Sequence, residues 1–145
     1  MIRIRRMTTA DVALGVRLLG AGNWNQTEAD WRRFLSLEPN GCFVAEVDGC
    51  PAGTTTTARF GPVAWIAMVV VAEEFRRRGI ATQLMQHALA YLAERGVQTV
   101  RLDATAAGRP VYERIGFVAE YEVARYAGTG AKVPAVPAVV PLSDR

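Results

Sequence analysis

Hydrophobic and polar positions change their spacing along the chain, and the changes sort it into strands and helices. Ile2 and Ile4 alternate with Arg3 and Arg5, the two-residue period of a short strand. Thr8-Thr9-Ala10-Asp11 then opens a helix, with a threonine as N-cap and Asp11 near the positive helix end. Val12, Val16 and Leu19 fall on one face, and Gly20 to Gly22 stop that helix. Asn23-Trp24-Asn25-Gln26 reads as a polar loop carrying one large aromatic. Thr27 and Asp30 have the spacing of a capping box, and Trp31, Phe34 and Leu35 supply the apolar face of a second helix.

Pro39-Asn40-Gly41 ends the helical region. Cys42 to Val47 reads as a strand, Asp48-Gly49 as a hairpin turn, and Ala52 to Phe60 as the returning, threonine-rich strand. After Gly61-Pro62, residues Ala64 to Val71 are almost wholly apolar, as in a central strand buried on both faces. Residues 78–95 form the clearest helix, with Ile80, Leu84, Ala88 and Tyr91 near one stripe and Gly96 as its stop. Thr99 to Asp103 predicts a strand. Ala106 to Ile115 predicts a short helix with Pro110 near its first turn. Phe117 to Tyr126 alternates again, as one or two final strands. The order describes a mixed α/β sheet, an α+β arrangement in one domain over 1–127. Residues 128–145, with Pro134, Pro137 and Pro141, form an extended tail or linker.

Composition narrows the function classes. Half of the 145 residues are hydrophobic, enough for a core without disulfides. The net charge is +3, a mild excess that suits an anionic ligand better than a nucleic-acid coat. All but one of the 17 basic residues are arginine, Lys132 being the exception. That bias fits phosphate binding and genome composition equally. Cys42 and Cys50 lack metal-ligand spacing, so no metal site is expected, and reduced thiols in a cytoplasmic protein are. The first residues lack the apolar run of a secretory leader, and no stretch is long enough to predict a membrane span.

The most informative chemistry lies in Phe75-Arg76-Arg77-Arg78-Gly79-Ile80-Ala81, between the apolar strand and the amphipathic helix. A helix start aims free N–H groups at one spot, and its dipole favours an anion there. Gly79 and Ala81 are small, so a phosphate can approach the backbone, and the arginines add charge-assisted hydrogen bonds. The run is neither a Walker A loop nor GxGxxG. A solvated basic helix start is the plain alternative.

Arg76, Gly79 and Ala81 satisfy the pattern [Gln/Arg]-x-x-Gly-x-[Gly/Ala], and Tyr112, Gly116 and Phe117 satisfy Tyr-x-x-x-Gly-Phe about 30 residues on. With this element order, the chain resembles the GNAT family of N-acetyltransferases over nearly everything except the tail. The resemblance implies acetyl-CoA (coenzyme A) as acyl donor. It places the pyrophosphate on the amides of Arg77, Arg78, Gly79, Ile80 and Ala81, with Thr82 near the nucleotide end. It implies that the pantetheine arm pairs with Val69, Val70 and Val71 like an added strand, while an N–H around Val69 polarises the acetyl carbonyl. Tyr112 matches the tyrosine that gives a proton to the departing thiolate. Thr105 stands where many relatives carry asparagine, a departure from the pattern.

The remaining assignments are less constrained. Asp103 is the candidate base for the amine, with capping of the following turn as the alternative. His87, the only histidine, lies on the flank of the long helix, and Glu73 and Glu74 read as surface carboxylates. Trp24, Asn25 and Gln26 suit an acceptor site for a polar or cationic amine, or else Trp24 packs a turn. Thr54 to Thr57 either present alternate hydroxyls to the cleft or serve as strand formers. The expected activity is acetyl transfer to a small-molecule or peptide amine by direct attack in a ternary complex, with no nucleic-acid or membrane partner; a homodimer is compatible. A catalytically weak acyl-CoA sensor is the main alternative, and a basic nucleic-acid binder a third, separable by its salt dependence.

Overall fold

The computed structural model describes residues 1–20 and 25–130. Five strands, β1 (Ile2–Arg6), β2 (Phe43–Val47), β3 (Cys50–Phe60), β4 (Val63–Val71) and β5 (Thr99–Arg101), lie in the sheet in their sequence order. The first four are antiparallel neighbours, and β5 joins β4 in parallel. Helices α1 (Val12–Leu19) and α2 (Glu28–Leu37) pack on one face of the sheet. Helix α3 (Ile80–Ala93) packs on the other, where the short α4 (Arg109–Arg114) joins the same core.

The helix starts follow local chemistry. Asp11 accepts from the Thr8 amide at 2.8 Å, and Asp30 accepts from the Thr27 amide at 2.8 Å. Each acidic side chain thereby satisfies a donor that a helix entry leaves open. Asp48 (φ 49°) and Gly49 (φ 82°) both adopt the left-handed conformations that join β2 tightly to β3. The stripe Ile80, Leu84, Ala88 and Tyr91 is buried as its spacing predicts. On α1 the inward face differs from expectation. Val16 is exposed, and Gly15 lies against the fully buried Trp31 of α2. A Cβ at Gly15 would stand 2.5 Å from the indole, so close helix approach demands glycine there.

Two features shape the site. Strand β4 carries a bulge: Thr54 pairs with Val70 and Thr56 with Ala67, so Met68 and Val69 oppose Thr55 alone. Met68 sits at φ 53°, and the bulge exchanges the strand's faces. Ala64 and Ile66 point into the α3-side core, whereas Met68 and Val70 point into the α1/α2-side core. Second, β5 pairs with β4 only from Val63 to Trp65. Beyond Trp65 the two strands part.

The final strands expected over Phe117 to Tyr126 do not form; among the described residues no strand follows β5. The segment alternates as a strand should, yet Val118, Tyr121, Val123 and Tyr126 are all exposed. It has no partner layer on which to bury one face, and pattern alone does not hold a strand. Residues 128–130 are irregular and exposed, and the rest of the tail lies outside the described residues.

Candidate functional site

Where β4 leaves β5, its second edge is open among the described residues. The direction of its polar groups follows from one bond: the Ala72 N–H donates to Ala52 O on β3 at 2.8 Å. Backbone groups alternate sides along a strand, so Val70 also faces β3, while Val69 and Val71 turn theirs to the open edge. Of the three valines assigned to pantetheine pairing, two therefore offer backbone groups to the cleft. Val70 instead pairs with Thr54 and buries its side chain.

The arginine turn begins at the end of the same strand. A short 3₁₀ turn over Glu73–Phe75 leads to Arg76, whose Nε donates to Val71 O at 3.2 Å. Arg78 donates to Glu74 O at 3.3 Å and lies 5.4 Å from the Phe75 ring centre. Arg77 (φ 60°) and Gly79 (φ 76°) adopt left-handed conformations around Arg78 and reverse the chain into α3. The first-turn amides of Ile80, Ala81 and Thr82 are donors that an α-helix leaves without an internal acceptor. Open space surrounds the position a Cβ would occupy on Gly79, and Arg76 to Gly79 are exposed. The loop is thus an accessible concave row of donors with three guanidinium groups, and a pyrophosphate fits it in charge and in access. A cavity of about 250 Å³ adjoins it, bounded by Arg17, Leu18, Val71, Ala72 and Arg76.

Tyr112 is buried on α4, with its ring edge-on to Phe117 at 6.2 Å. Burial pushes its phenol above the ordinary value, so it remains a proton donor at neutral pH. Asp103 lies exposed just beyond β5 and makes no side-chain hydrogen bond among the described residues. The capping role open to it belongs to Thr105, whose Oγ1 accepts from the Gly108 amide at 3.1 Å. Thr105 is therefore engaged locally, a use that its assignment to the cofactor did not foresee.

Of the residues expected to contact an acceptor, Asn25 is exposed and Gln26 half-buried. Trp24 lies outside the described residues. Thr54 to Thr57 are all fully buried, so none lines an open cleft. Three of their hydroxyls bond backbone carbonyls instead, those of Met68, Ala67 and Gly41. His87 packs edge-on to Phe43 at 4.5 Å, remote from the open edge of β4. Burial raises the Cys42 thiol to about 11, so it is no nucleophile at neutral pH. A larger concavity, about 440 Å³, lies at the far end of the sheet beside Arg5, Arg6, His87 and Arg95. No residue of the β4 edge, the arginine turn or α4 lines it, and Arg5 there is already neutralised by Asp11 and Glu46.

An open strand edge running into a basic donor loop offers hydrogen bonds to an extended ligand along a sheet and a cradle for an anionic end at a helix start. The chain belongs to the acetyltransferase (GNAT) family, whose model matches residues 17–117. Members of that family take their acyl group from acetyl-CoA. The N-alpha-acetyltransferase MAK3 of Arabidopsis thaliana is 33% identical over 96 residues, 61% of this chain and 50% of that protein. The chain spans about half the length of the curated relatives it matches. Among solved structures, Ard1 from Thermoplasma volcanium superposes with a TM-score of 0.76 at 24% identity, over 83% of this chain and 84% of that one. A predicted acetyltransferase from Clostridium acetobutylicum, solved with acetyl-CoA, gives a TM-score of 0.68 at 21% identity, over 88% and 96%. At those identities the two structures bear on the fold. No helix among the described residues is long and apolar enough to cross a membrane.

Proposed function

We propose that the chain transfers the acetyl group of acetyl-CoA to a primary amine, by direct attack of the amine in a ternary complex. The observation that carries this reading is the parting of β4 from β5 beside the donor loop at the start of α3. The bound thioester supplies an activated acetyl group. Val69 and Val71 hold its arm along the open edge, and the amides from Arg77 to Thr82 hold the pyrophosphate. The Val69 N–H donates to the carbonyl oxygen as negative charge develops there. Tyr112, kept neutral by burial, gives the leaving thiolate its proton.

Asp103 takes a proton from the ammonium form of the amine, directly or through water. Its exposure at the end of β5 leaves it free for that exchange. Asn25 and Gln26, with Trp24 in the same run, are the proposed acceptor contacts, and residues 1–127 make up the transferase domain, with 128–145 outside it. The MAK3 likeness makes the α-amino group of a peptide the first acceptor to try. The test is thiol release from acetyl-CoA against a panel of peptides with free N-termini, polyamines and small amines. Saturable release with at least one of them is expected. Tight binding of acetyl-CoA with no acceptor-dependent release by any of them would make the chain an acyl-CoA-binding module instead.

A further inference from the structure

The bulge in β4 breaks the backbone ladder where the site needs its geometry fixed, and a side chain restores it. Met68 and Val69 face the single residue Thr55, and Met68 holds a left-handed conformation that a non-glycine residue keeps only where its surroundings enforce it. The enforcing contact comes from Thr54 on β3. Its hydroxyl, fully buried, donates to the Met68 carbonyl oxygen at 3.0 Å. The Met68–Val69 peptide is trans, so its C=O and its N–H point in opposite directions. Holding the carbonyl toward Thr54 therefore aims the Val69 N–H away from β3, at the edge that β5 has left. The bond from Ala72 to Ala52 gives the same direction independently, through strand alternation.

We infer that Thr54 is a positioning residue: its hydroxyl sets the aim of the Val69 amide on the acyl carbonyl. This rests on the proposed role of that amide, and the experiment separates the two. The Val69 amide resonance is followed by NMR with CoA and with acetyl-CoA, alongside steady-state kinetics with the best acceptor. In the unaltered protein, acetyl-CoA is expected to shift the resonance beyond the shift with CoA. Thr54→Val keeps the shape but removes the donor. It should erase that difference and lower kcat by about tenfold, part of the roughly 10²–10³ that losing a whole oxyanion donor costs. The KM for acetyl-CoA should stay within about twofold, since the pyrophosphate loop is untouched. Thr54→Ser should restore both readouts. Thr56→Val removes the equivalent bond to Ala67, 3.1 Å long and outside the bulge, and should leave the acetyl-dependent shift in place. Should Thr54→Val not fold, Thr54→Ala is read in the same way. An acetyl-dependent shift and kcat unchanged without the hydroxyl, or lost equally in Thr56→Val, would overturn the positioning role and leave the donor reading standing. No difference between CoA and acetyl-CoA in the unaltered protein would overturn the donor reading and this inference with it.

Discussion

The two ends of the sheet treat polar groups in opposite ways. At the β3–β4 turn end, the buried Glu38 carboxylate accepts from Arg59 Nε at 2.7 Å and from the Tyr91 hydroxyl at 2.5 Å. The Arg95 guanidinium lies 3.6 Å from the centre of the Tyr91 ring. Burial alone would raise the Glu38 pKa, but the hydrogen bonds from Arg59 and Tyr91 outweigh it and hold the carboxyl below its ordinary value. Every strong group there has a partner. At the other end, the open edge of β4 and the first turn of α3 present backbone donors that the fold does not consume, and the edge acceptor Val71 O meets only the exposed Arg76 side chain. Matched polar groups tie α2, β3 and α3 together, and unmatched ones are available to a ligand.

Substitutions can break this contrast. Tyr112→Phe should lower turnover by about 10²-fold, the low end for loss of a general acid, with acetyl-CoA affinity kept. Unchanged turnover in stopped thiol-release assays would remove Tyr112 from the chemistry. Glu38→Ala strands two partners at the matched end and should cost about 3 kcal/mol in urea unfolding. Acetyl-CoA affinity measured in the folded variant should not change, and a parallel loss would show that the two ends are coupled. Gly79→Val adds a Cβ at a left-handed position in the donor loop. It should weaken acetyl-CoA by about tenfold or more in calorimetry, roughly 1.4 kcal/mol per tenfold. Undiminished binding would move the pyrophosphate elsewhere.

The smallest effect is a pH dependence. Burial first, and then the bond to Glu38, raise the Tyr91 phenol to about 12 in the folded protein. An unfolded tyrosine ionises near 10. The folded pKa is the higher, so this contribution is complete below about pH 10 and fades as pH rises toward about 12. Thermal unfolding across that window should show the loss, and Tyr91→Phe should flatten it. Glu38 acts in the acid direction: its pKa is depressed, so its contribution is present above the unfolded value and lost as pH falls through the folded one.

Local chemistry made much of the fold legible in the residues. Thr27 with Asp30, Asp48-Gly49 and the stripe from Ile80 to Tyr91 each act within a few positions, and each appears as read. The arginine turn was legible for the same reason, since its glycine and its helix start are contiguous. What escaped depends on distance or on symmetry of pattern. Glu38 and Tyr91 are 53 positions apart, and nothing near either one announces the other. The bulge at Met68 carries no glycine and interrupts a stretch that is apolar on both faces, so alternation could not reveal it. Phe117 to Tyr126 shows the converse, an alternation without a layer to receive it.

The exchange of faces in β4 bears on how this strand can vary. A strand with one wet face could not shift its phase halfway along, because oily side chains would be turned to water. From Val63 to Val71 every side chain is apolar, so the sequence stays in register with its two cores on either side of the slip. The slip thus turns no oily side chain to water; its cost is confined to the left-handed backbone at Met68, the one point on which the orientation of Val69 depends.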